Sequence, residues 1–284
     1  MRADISHGQR MRLAFFRNRT AIAGGVIAAL IFLTAILAPW IAPYDPLEQN
    51  PIFRLEPGNE AHWLGTDDFG RDVLSRLIWG SRISLVIGFA SVLIGMLAGT
   101  SLGMLAGYYR GGVETTIMRG VDVLMSFPDL ILAVAITAAL GATLINLILT
   151  LGLVMIPGFA RIAHSSLLSM SEREFVLAAR GIGARDKRIL FKHILPNIFG
   201  ELLVAGTLWV GVAIRLEANL SFIGLGVQPP TPTWGNMIRE GVDVLINAPG
   251  ISVYSGLCIL ITILAFNMLG DGVRDMIDPR LRGI

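Results

Sequence analysis

The sequence LILAVAITAALGATLINLILTLGLVMIPGFA, residues 130–160, contains no charged side chain over 31 positions. About 18 apolar residues suffice to cross a bilayer as a helix, and a single helix of this length would extend roughly 46 Å against a hydrocarbon core of roughly 30 Å. The stretch is therefore either one over-long helix or the end of one membrane span followed by a second. The choice decides how many times the chain crosses the membrane.

Uncharged stretches of similar length recur along the chain. Three more are long enough to span a bilayer, with 25, 27 and 27 residues: 20–44, 83–109 and 244–270. A fifth, residues 202–226, is mostly Leu, Val, Ala and Gly but contains Arg215 and Glu217. Charged residues make up only 15% of the chain, where about 25% is usual in soluble proteins. We therefore predict an all-α membrane protein.

The positions of the basic residues decide the number of spans, because Lys and Arg concentrate in cytoplasmic loops. The segment before residue 20 has five arginines and one aspartate, and residues 161–200 have seven basic residues. The loop 45–82 has four arginines and seven acidic residues, which suits an external position. If both basic segments are cytoplasmic, the chain crosses an even number of times between them. Residues 117–162 must then cross twice.

Six transmembrane helices follow, with both termini in the cytoplasm. The expected spans are residues 21–42, 83–107, 117–141, 143–162, 201–223 and 250–270. Within the third span Asp129 follows Pro128, where we expect a helix to restart. We divide the chain into residues 1–82, with the first span and the external loop, a transmembrane domain 83–272 with a cytoplasmic loop 163–200, and a tail 273–284.

The chain carries no motif for catalysis. Its two lysines, Lys187 and Lys192, follow no glycine-rich phosphate-binding loop, so we expect no ATP site of that kind. The four histidines lack metal-ligand spacing, and Cys258 lies among apolar residues. We therefore expect no catalytic residue, no metal and no cofactor. A net charge of only +2 also indicates no nucleic-acid partner.

Residues 172–197 are the most informative part of the cytoplasmic loop. Apolar residues recur there at helical spacing and predict a short amphipathic helix with one apolar face: Phe175, Val176, Ala179 and Ile182. Gly183 is suited to the end of this helix. A second helix is expected from Asp186 to Ile194, because Pro196 disfavours its continuation. Two helices in such a loop indicate a docking element, the alternative being a solvated basic connector.

The loop resembles that of a known family, the inner-membrane permease subunits of ATP-binding-cassette importers, in the branch for dipeptides, oligopeptides and nickel. The signature of that family is Glu-Ala-Ala, three residues, Gly, nine residues, Ile, one residue, Leu-Pro. Five residues are in register with it: Ala178, Ala179, Gly183, Leu195 and Pro196. Leu177 and His193 replace its Glu and Ile. The form seen here, with Glu174-Phe175-Val176 upstream, looks like that of the peptide and nickel branch.

Further matches to the second of the two permeases in such systems follow in chain order. They are LGTDDFGRD at 64–72, EANLSFIGLG at 217–226, the Pro-Pro and Trp-Gly pairs within 229–235, and residues 267–282. Several separate matches in one order are more specific than any of them alone. The resemblance therefore covers nearly the whole chain.

The resemblance implies a type I importer permease fold in the bacterial inner membrane, without enzymatic activity of its own. It implies three kinds of protein partner: a second homologous permease subunit, two ATP-binding subunits and an external substrate-binding protein. The short helix of the cytoplasmic loop corresponds to what this family calls the coupling helix. By resemblance, this loop would contact the ATPase through Glu174, Phe175, Ala178, Ala179, Arg180, Gly183 and Pro196. Di- or oligopeptides are the implied substrate, with glutathione or nickel as alternatives. From other classes, an ion-coupled secondary transporter and a non-transporting scaffold stay open.

Two features of the spans and two loops complete the predictions. Arg215 and Glu217 are costly in hydrocarbon and are expected to face a pathway or gate. The alternative is that both lie near the external end, where Arg215 snorkels and Glu217 caps the helix exit. The external loops 45–82 and 225–250 are candidates for contact with a binding protein. A glycine face predicts close packing against another span, at Gly88, Gly95, Gly99 and Gly103.

Overall fold

The computed structural model describes residues 18–277, which form helices and no β-strand. In chain order the helices are α1 Arg19–Ile41, α2 Val73–Tyr109, α3 Gly111–Met125, α4 Asp129–Leu140, α5 Leu144–Ser171, α6 Glu174–Gly181, α7 Asp186–Arg188, α8 Leu195–Phe222, α9 Trp234–Asp243 and α10 Gly250–Ile277. A short 3₁₀ helix, Pro51–Phe53, lies in the first loop, and a π-helix, Ile189–Ile194, joins α7 to α8. Outside the described residues lie the N-terminal arginines used for the topology, Arg2, Arg10, Arg12 and Arg17, and the C-terminal match at 278–282.

Within residues 18–277, five helices are long and apolar enough to cross a membrane: α1, α2, α5, the helix 186–222 that includes α8, and α10. Helices α3 and α4 pass the same criterion together, but they bend by 93° at the break between Met125 and Asp129. The expected third span, residues 117–141, is therefore divided into two helices, with a bend that the sequence did not predict. Pro128 lacks the N–H that a continuing helix needs, and the helix restarts at Asp129 as expected.

The packing of α2 on α5 indicates that the bent pair connects opposite ends of the helix bundle. Three glycines of α2 contact three residues of α5 at a constant offset of 60 positions, Gly95 with Met155, Gly99 with Phe159 and Gly103 with Ala163. The two helices are therefore parallel. Helices α3 and α4 must then return the chain to the side where α2 began, which makes six crossings.

The same glycines confirm the predicted close approach of one span to another. A Cβ atom on Gly103 would lie 2.2 Å from the carbonyl oxygen of Ala160, which leaves no room for any other residue. Gly88 faces a different helix, with Ile214 of α8 as its nearest neighbour. Beyond this pair, the main buried cluster joins α2, α5, α8 and α10 through residues such as Val92, Phe159, Val210 and Phe266.

The two ends of the described chain lie together. Asn18 caps α1 by accepting hydrogen bonds from the N–H groups of Thr20 and Ala21, both at 3.1 Å. Its side-chain amide also donates to Asp275 Oδ2 of α10 at 2.8 Å. A chain that begins and ends on one side crosses an even number of times, in agreement with six spans. We call this side, which also bears α6, the inner side and the opposite one the outer side.

Two helix boundaries differ from those predicted. Helix α2 begins at Val73 and not near residue 83, so the boundary drawn at residue 82 falls inside it. The absence of charge marks only the part of a helix in hydrocarbon, and α2 continues beyond that part. The helix expected to stop at Ile194 instead runs into α8. Pro196 is tolerated because it lies in the first turn of α8, after the wider turns of the π-helix.

Candidate functional site

Helix α6 has a buried and an exposed side at the inner end of the bundle. Val176 is fully buried and Ala179 nearly so, whereas Phe175 is 43% and Ile182 is 88% exposed. The predicted short helix is present, but its apolar residues are not equally buried, and Ile182 is not part of it. The reason is that α6 ends at Gly181, so Ile182 lies past the last turn. Phe175 is rotated by about 100° from Val176.

The end of α6 has the geometry that its glycine predicts. Gly183 adopts a φ of +80°, its N–H donates to the carbonyl of Arg180 at 2.9 Å, and the N–H of Ala184 donates to the carbonyl of Ala179 at 3.0 Å. This pair of bonds is the Schellman motif, in which glycine is favoured because its φ is positive. The prediction for Gly183 as a helix end is confirmed. Space around Gly181 and Gly183 is open, with no atom within 4 Å of a Cβ placed on either.

The exposed side of α6 contains most of the residues for which the resemblance implies contact with an ATPase. Six of the seven are exposed: Glu174, Phe175, Ala178, Arg180, Gly183 and Pro196. Ala179 instead faces the interior of the loop. The exposed side of α6 is therefore an unpartnered surface with apolar and charged groups.

A tyrosine at the inner end of α2 connects that helix to the loop. The hydroxyl of Tyr108 donates to Asp186 Oδ1 at 2.6 Å, and the guanidinium carbon of Arg180 lies 5.5 Å from the centre of its ring. One residue thus contacts both α6 and α7. The sequence analysis missed it, because nothing in the local pattern pairs Tyr108 with a residue 78 positions away.

Arg215 and Glu217 occupy different environments in α8. Arg215 is exposed on the surface of the bundle. Glu217 is fully buried, and its Oε1 accepts hydrogen bonds from Ser221 at 2.7 Å and from Thr233 at 2.9 Å. Thr233 is also the N-cap of α9, and its side-chain oxygen accepts a hydrogen bond from the backbone N–H of Asn236. Glu217 therefore connects the outer end of α8 to the start of α9.

Polar side chains on α3, α5 and α8 include two hydrogen-bonded pairs, which we group with two exposed residues of α8 under the name polar face. Arg161 donates to Asp122 Oδ1 at 2.6 Å, and Ser166 donates to Glu201. Toward the outer end of α8, Arg215 and Asn219 are exposed. The polar face thus comprises Asp122, Arg161, Ser166, Glu201, Arg215 and Asn219. Charged groups on membrane spans face water-filled cavities or other proteins more often than lipid.

On the outer side a buried ionic cluster joins the loop before α2 to α9. Arg71 Nε lies 2.6 Å from Asp67 Oδ2, and Glu240 Oε2 lies 3.0 Å from Arg71 Nη2 and 2.8 Å from Arg76 Nη2. Asp67 and Arg71 belong to the first loop and Glu240 to α9, outside the spans. Burial raises the pKa of Glu240 to about 7, and Arg71 opposes that shift. Within residues 18–277, no three His, Cys, Asp or Glu side chains are grouped as metal ligands.

Five long apolar helices and the bent pair α3–α4, joined by polar loops, define a multi-pass α-helical membrane protein. Residues 99–283 match the family model described as the inner membrane component of binding-protein-dependent transport systems. Residues 6–57 match the N-terminal TM domain of oligopeptide transport permease C. The chain belongs to this family of inner-membrane transport permeases.

Curated relatives match over nearly the full length of the chain. The glutathione transport system permease protein GsiD of Pectobacterium atrosepticum is 42% identical over 94% of this chain and 89% of its own. The dipeptide transport system permease protein DppC of Alkalihalophilus pseudofirmus is 41% identical, covering 94% and 88%. The di/tripeptide transport system permease protein DppC of Pseudomonas aeruginosa is 43% identical, covering 95% and 91%.

A solved structure shares the fold. A chain of the MetNI methionine ABC transporter, in an inward-facing conformation, superposes with a TM-score of 0.60 at 22% identity. The match covers 71% of this chain and 96% of that chain. The predicted importer permease fold and the location in the bacterial inner membrane are confirmed.

Proposed function

We propose that this chain is a pathway-forming permease subunit of an ATP-driven importer of di- or oligopeptides. One observation carries the substrate class, namely the identity of 41% and 43% to two permeases named for di- and tripeptide transport. Glutathione, itself a small peptide, is a second candidate because relatives at 42% and 43% identity carry that name. Family membership favours binding-protein-dependent transport over an ion-coupled carrier or a scaffold.

The partners follow from the surfaces that the chain leaves open. The exposed side of α6 would dock on one of two ATP-binding subunits, since it presents apolar and charged groups to the inner side. The polar face would border the translocation pathway together with a second homologous permease. On the outer side, the two loops joined through Glu240 would receive an external substrate-binding protein. Arg215 has a place in this pathway, whereas Glu217 acts inside the chain by holding α9.

The orientation in the membrane is part of the proposal. Residues 161–200 contain seven Lys and Arg side chains, and they lie on the same side as both ends of the described chain. Because basic loops are retained in the cytoplasm, the inner side would be cytoplasmic, together with both termini.

Uptake measurements test the substrate. A bacterial strain that lacks this chain would be supplied with the wild-type gene and given labelled dipeptide, labelled glutathione or nickel. We expect complementation to restore dipeptide uptake and to require active partner ATPases. Restoration of nickel uptake alone would contradict the peptide assignment, and uptake that persists without ATPase activity would contradict the importer.

A bulky residue on α6 tests the docking surface. Gly183→Trp is unsuitable, because any side chain at a φ of +80° strains the backbone. Gly181→Trp avoids this problem, since the space around Gly181 is open. We expect it to reduce peptide uptake at least tenfold while the amount of chain in the membrane stays the same. Gly256→Trp, at an equally open position of α10, is the control and should retain uptake within twofold.

A further inference from the structure

A groove of about 330 Å³ lies between the outer halves of α1 and α2. Its lining is apolar except for one guanidinium, and consists of Phe32, Ala35, Ile36, Arg82, Leu85, Val86 and Phe89. Ile36 and Val86 are 61% and 50% exposed, so the groove opens away from the bundle. The rings of Phe32 and Phe89, with centroids 5.1 Å apart, close its deep end.

The groove crosses the outer edge of the hydrocarbon layer. Arg82 is the last charged residue before the uncharged stretch 83–109, and Phe89 lies about 10 Å further along the helix. Trp79 lies one turn before Arg82, and Trp40, which is 75% exposed, lies near the outer end of α1. Tryptophan is enriched at the boundary between membrane and water. The mouth of the groove is therefore at the level of the lipid headgroups and its deep end at the level of the acyl chains.

Among residues 18–277, the charge of Arg82 has no acidic partner. Its guanidinium stacks on the ring of Trp79, 4.9 Å from the centroid, and among residues 18–277 no carboxylate lies within 4 Å of it. Arg71 and Arg76, on the same outer side, are both paired with carboxylates. A guanidinium stays charged at all physiological pH values, and its planar fork matches a phosphate. Arg82 is therefore expected to bind an anionic group.

The size of the groove favours a single flexible chain over a protein helix. A helix is about 10 Å across with its side chains, so it would lie over the open side of a groove of about 330 Å³ and would not enter it. An aliphatic chain is much thinner and would bury the exposed apolar groups of Ile36 and Val86. Apolar burial would therefore supply the favourable free energy, and the arginine would fix the orientation.

We propose that this groove binds a phospholipid of the outer leaflet. Its phosphate binds the guanidinium of Arg82, and one acyl chain lies between α1 and α2 as far as Phe32 and Phe89. The lipid fills the gap that α1 leaves against α2.

Native mass spectrometry tests this proposal on the full-length chain purified in mild detergent with its co-purifying subunits. Phosphatidylglycerol, diacylglycerol of the same chain length and inorganic phosphate are added in separate titrations. We expect one phosphatidylglycerol to be retained. Diacylglycerol should bind at least tenfold more weakly, and inorganic phosphate should not bind, because each lacks one half of the recognition.

Two variants probe the two halves of the site. Arg82→Met keeps an apolar stem but removes the charge, and Val86→Trp fills the groove but keeps the charge. Each should weaken phosphatidylglycerol binding about tenfold or more, while Arg54→Met in the exposed first loop should leave it unchanged. Size-exclusion profiles verify that the variants fold. Equal lipid retention in all variants would overturn the proposal, as would crosslinking of a cysteine at Val86 to a second permease.

Discussion

Arg215 and Glu217 are two positions apart in α8, yet one is exposed and the other fully buried. Residues two positions apart on an α-helix are rotated by about 200° from each other, so their side chains point to nearly opposite sides of the helix. The sequence could show that both charges lie in a span. It could not show which one faces the bundle, because that depends on α9 folding back to place Thr233 beside Glu217.

Substitution by alanine should separate the roles of these two residues. Glu217→Ala leaves the hydroxyls of Ser221 and Thr233 without their acceptor and should lower the free energy of unfolding by about 1–3 kcal/mol. Arg215→Ala should change it by less than about 0.5 kcal/mol but reduce peptide uptake. Thermal unfolding of the purified chain and uptake in cells measure the two effects. Equal destabilisation by both variants would contradict this division of roles.

The buried carboxyl of Glu240 should make stability depend on pH. Its pKa in the folded chain is raised from 4.5 to about 7, with Asp67, Arg71, Arg76 and Arg239 as charged neighbours. Between these two values the folded chain binds more protons than the unfolded chain, so stability should fall as pH rises from 4.5 to 7 and level off above that. In the Glu240→Gln variant, the unfolding temperature should not show this decrease between pH 4.5 and 7. A wild-type midpoint that instead rises over the same range would show that the arginines hold the carboxylate ionised.

At the scale of elements, the link between α2 and the loop is one side chain that contacts two helices. Tyr108→Phe removes the hydrogen bond to Asp186 but keeps the ring on which Arg180 lies. Loss of one hydrogen bond costs about 1 kcal/mol, so the position of α2 should depend less on the position of α7. We expect a severalfold lower ratio of peptide transported to ATP hydrolysed, measured with the reconstituted importer.

The neighbouring tyrosine is the matched control for this variant. Tyr109 is 56% exposed, and among the described residues its hydroxyl has no hydrogen-bond partner. Tyr109→Phe should therefore leave the ratio unchanged. If this ratio fell equally in both variants, the effect would come from the position of the tyrosines at the membrane boundary and not from the hydrogen bond to Asp186.

How far the sequence predicts an element depends on whether the interaction that forms it is local. The glycine face of α2 and the end of α6 at Gly183 are determined by nearby spacing and backbone geometry, and both were predicted. A helix restart after Pro128 was predicted but not the bend of 93°, and the passage through Pro196 was predicted incorrectly, because the same residue type breaks one helix and begins another. The two prolines differ in the turn that precedes them. Irregular backbone precedes Pro128, where the helix breaks, and a π-helix precedes Pro196, where the helix continues.

At the scale of the whole molecule, the charge pattern predicted the number of crossings but not the contacts among them. The pairing of Arg71 with Glu240, which is 169 positions away, depends on α9 folding back onto the start of α2. The link from Tyr108 to Asp186 depends likewise on the arrangement of the bundle. Long-range polar contacts are therefore the part of the site that required the structure, whereas the exposed residues of α6 could be named from the sequence.

The bent pair α3–α4 allows the sharpest test of the whole arrangement. With Cys258 replaced by alanine, single cysteines at Gly112 and Ala142 would flank the pair, and a cysteine at Glu60 would mark the outer loop. A membrane-impermeant maleimide added outside intact spheroplasts should label the cysteines at Ala142 and Glu60 but reach that at Gly112 only after lysis. The parallel packing of α2 and α5 requires that residues 112 and 142 lie on opposite sides of the bilayer. The proposed orientation places residue 142 outside. Labelling of Gly112 and Ala142 from the same side would mean that the pair re-enters without crossing, and α2 and α5 would then have to be antiparallel.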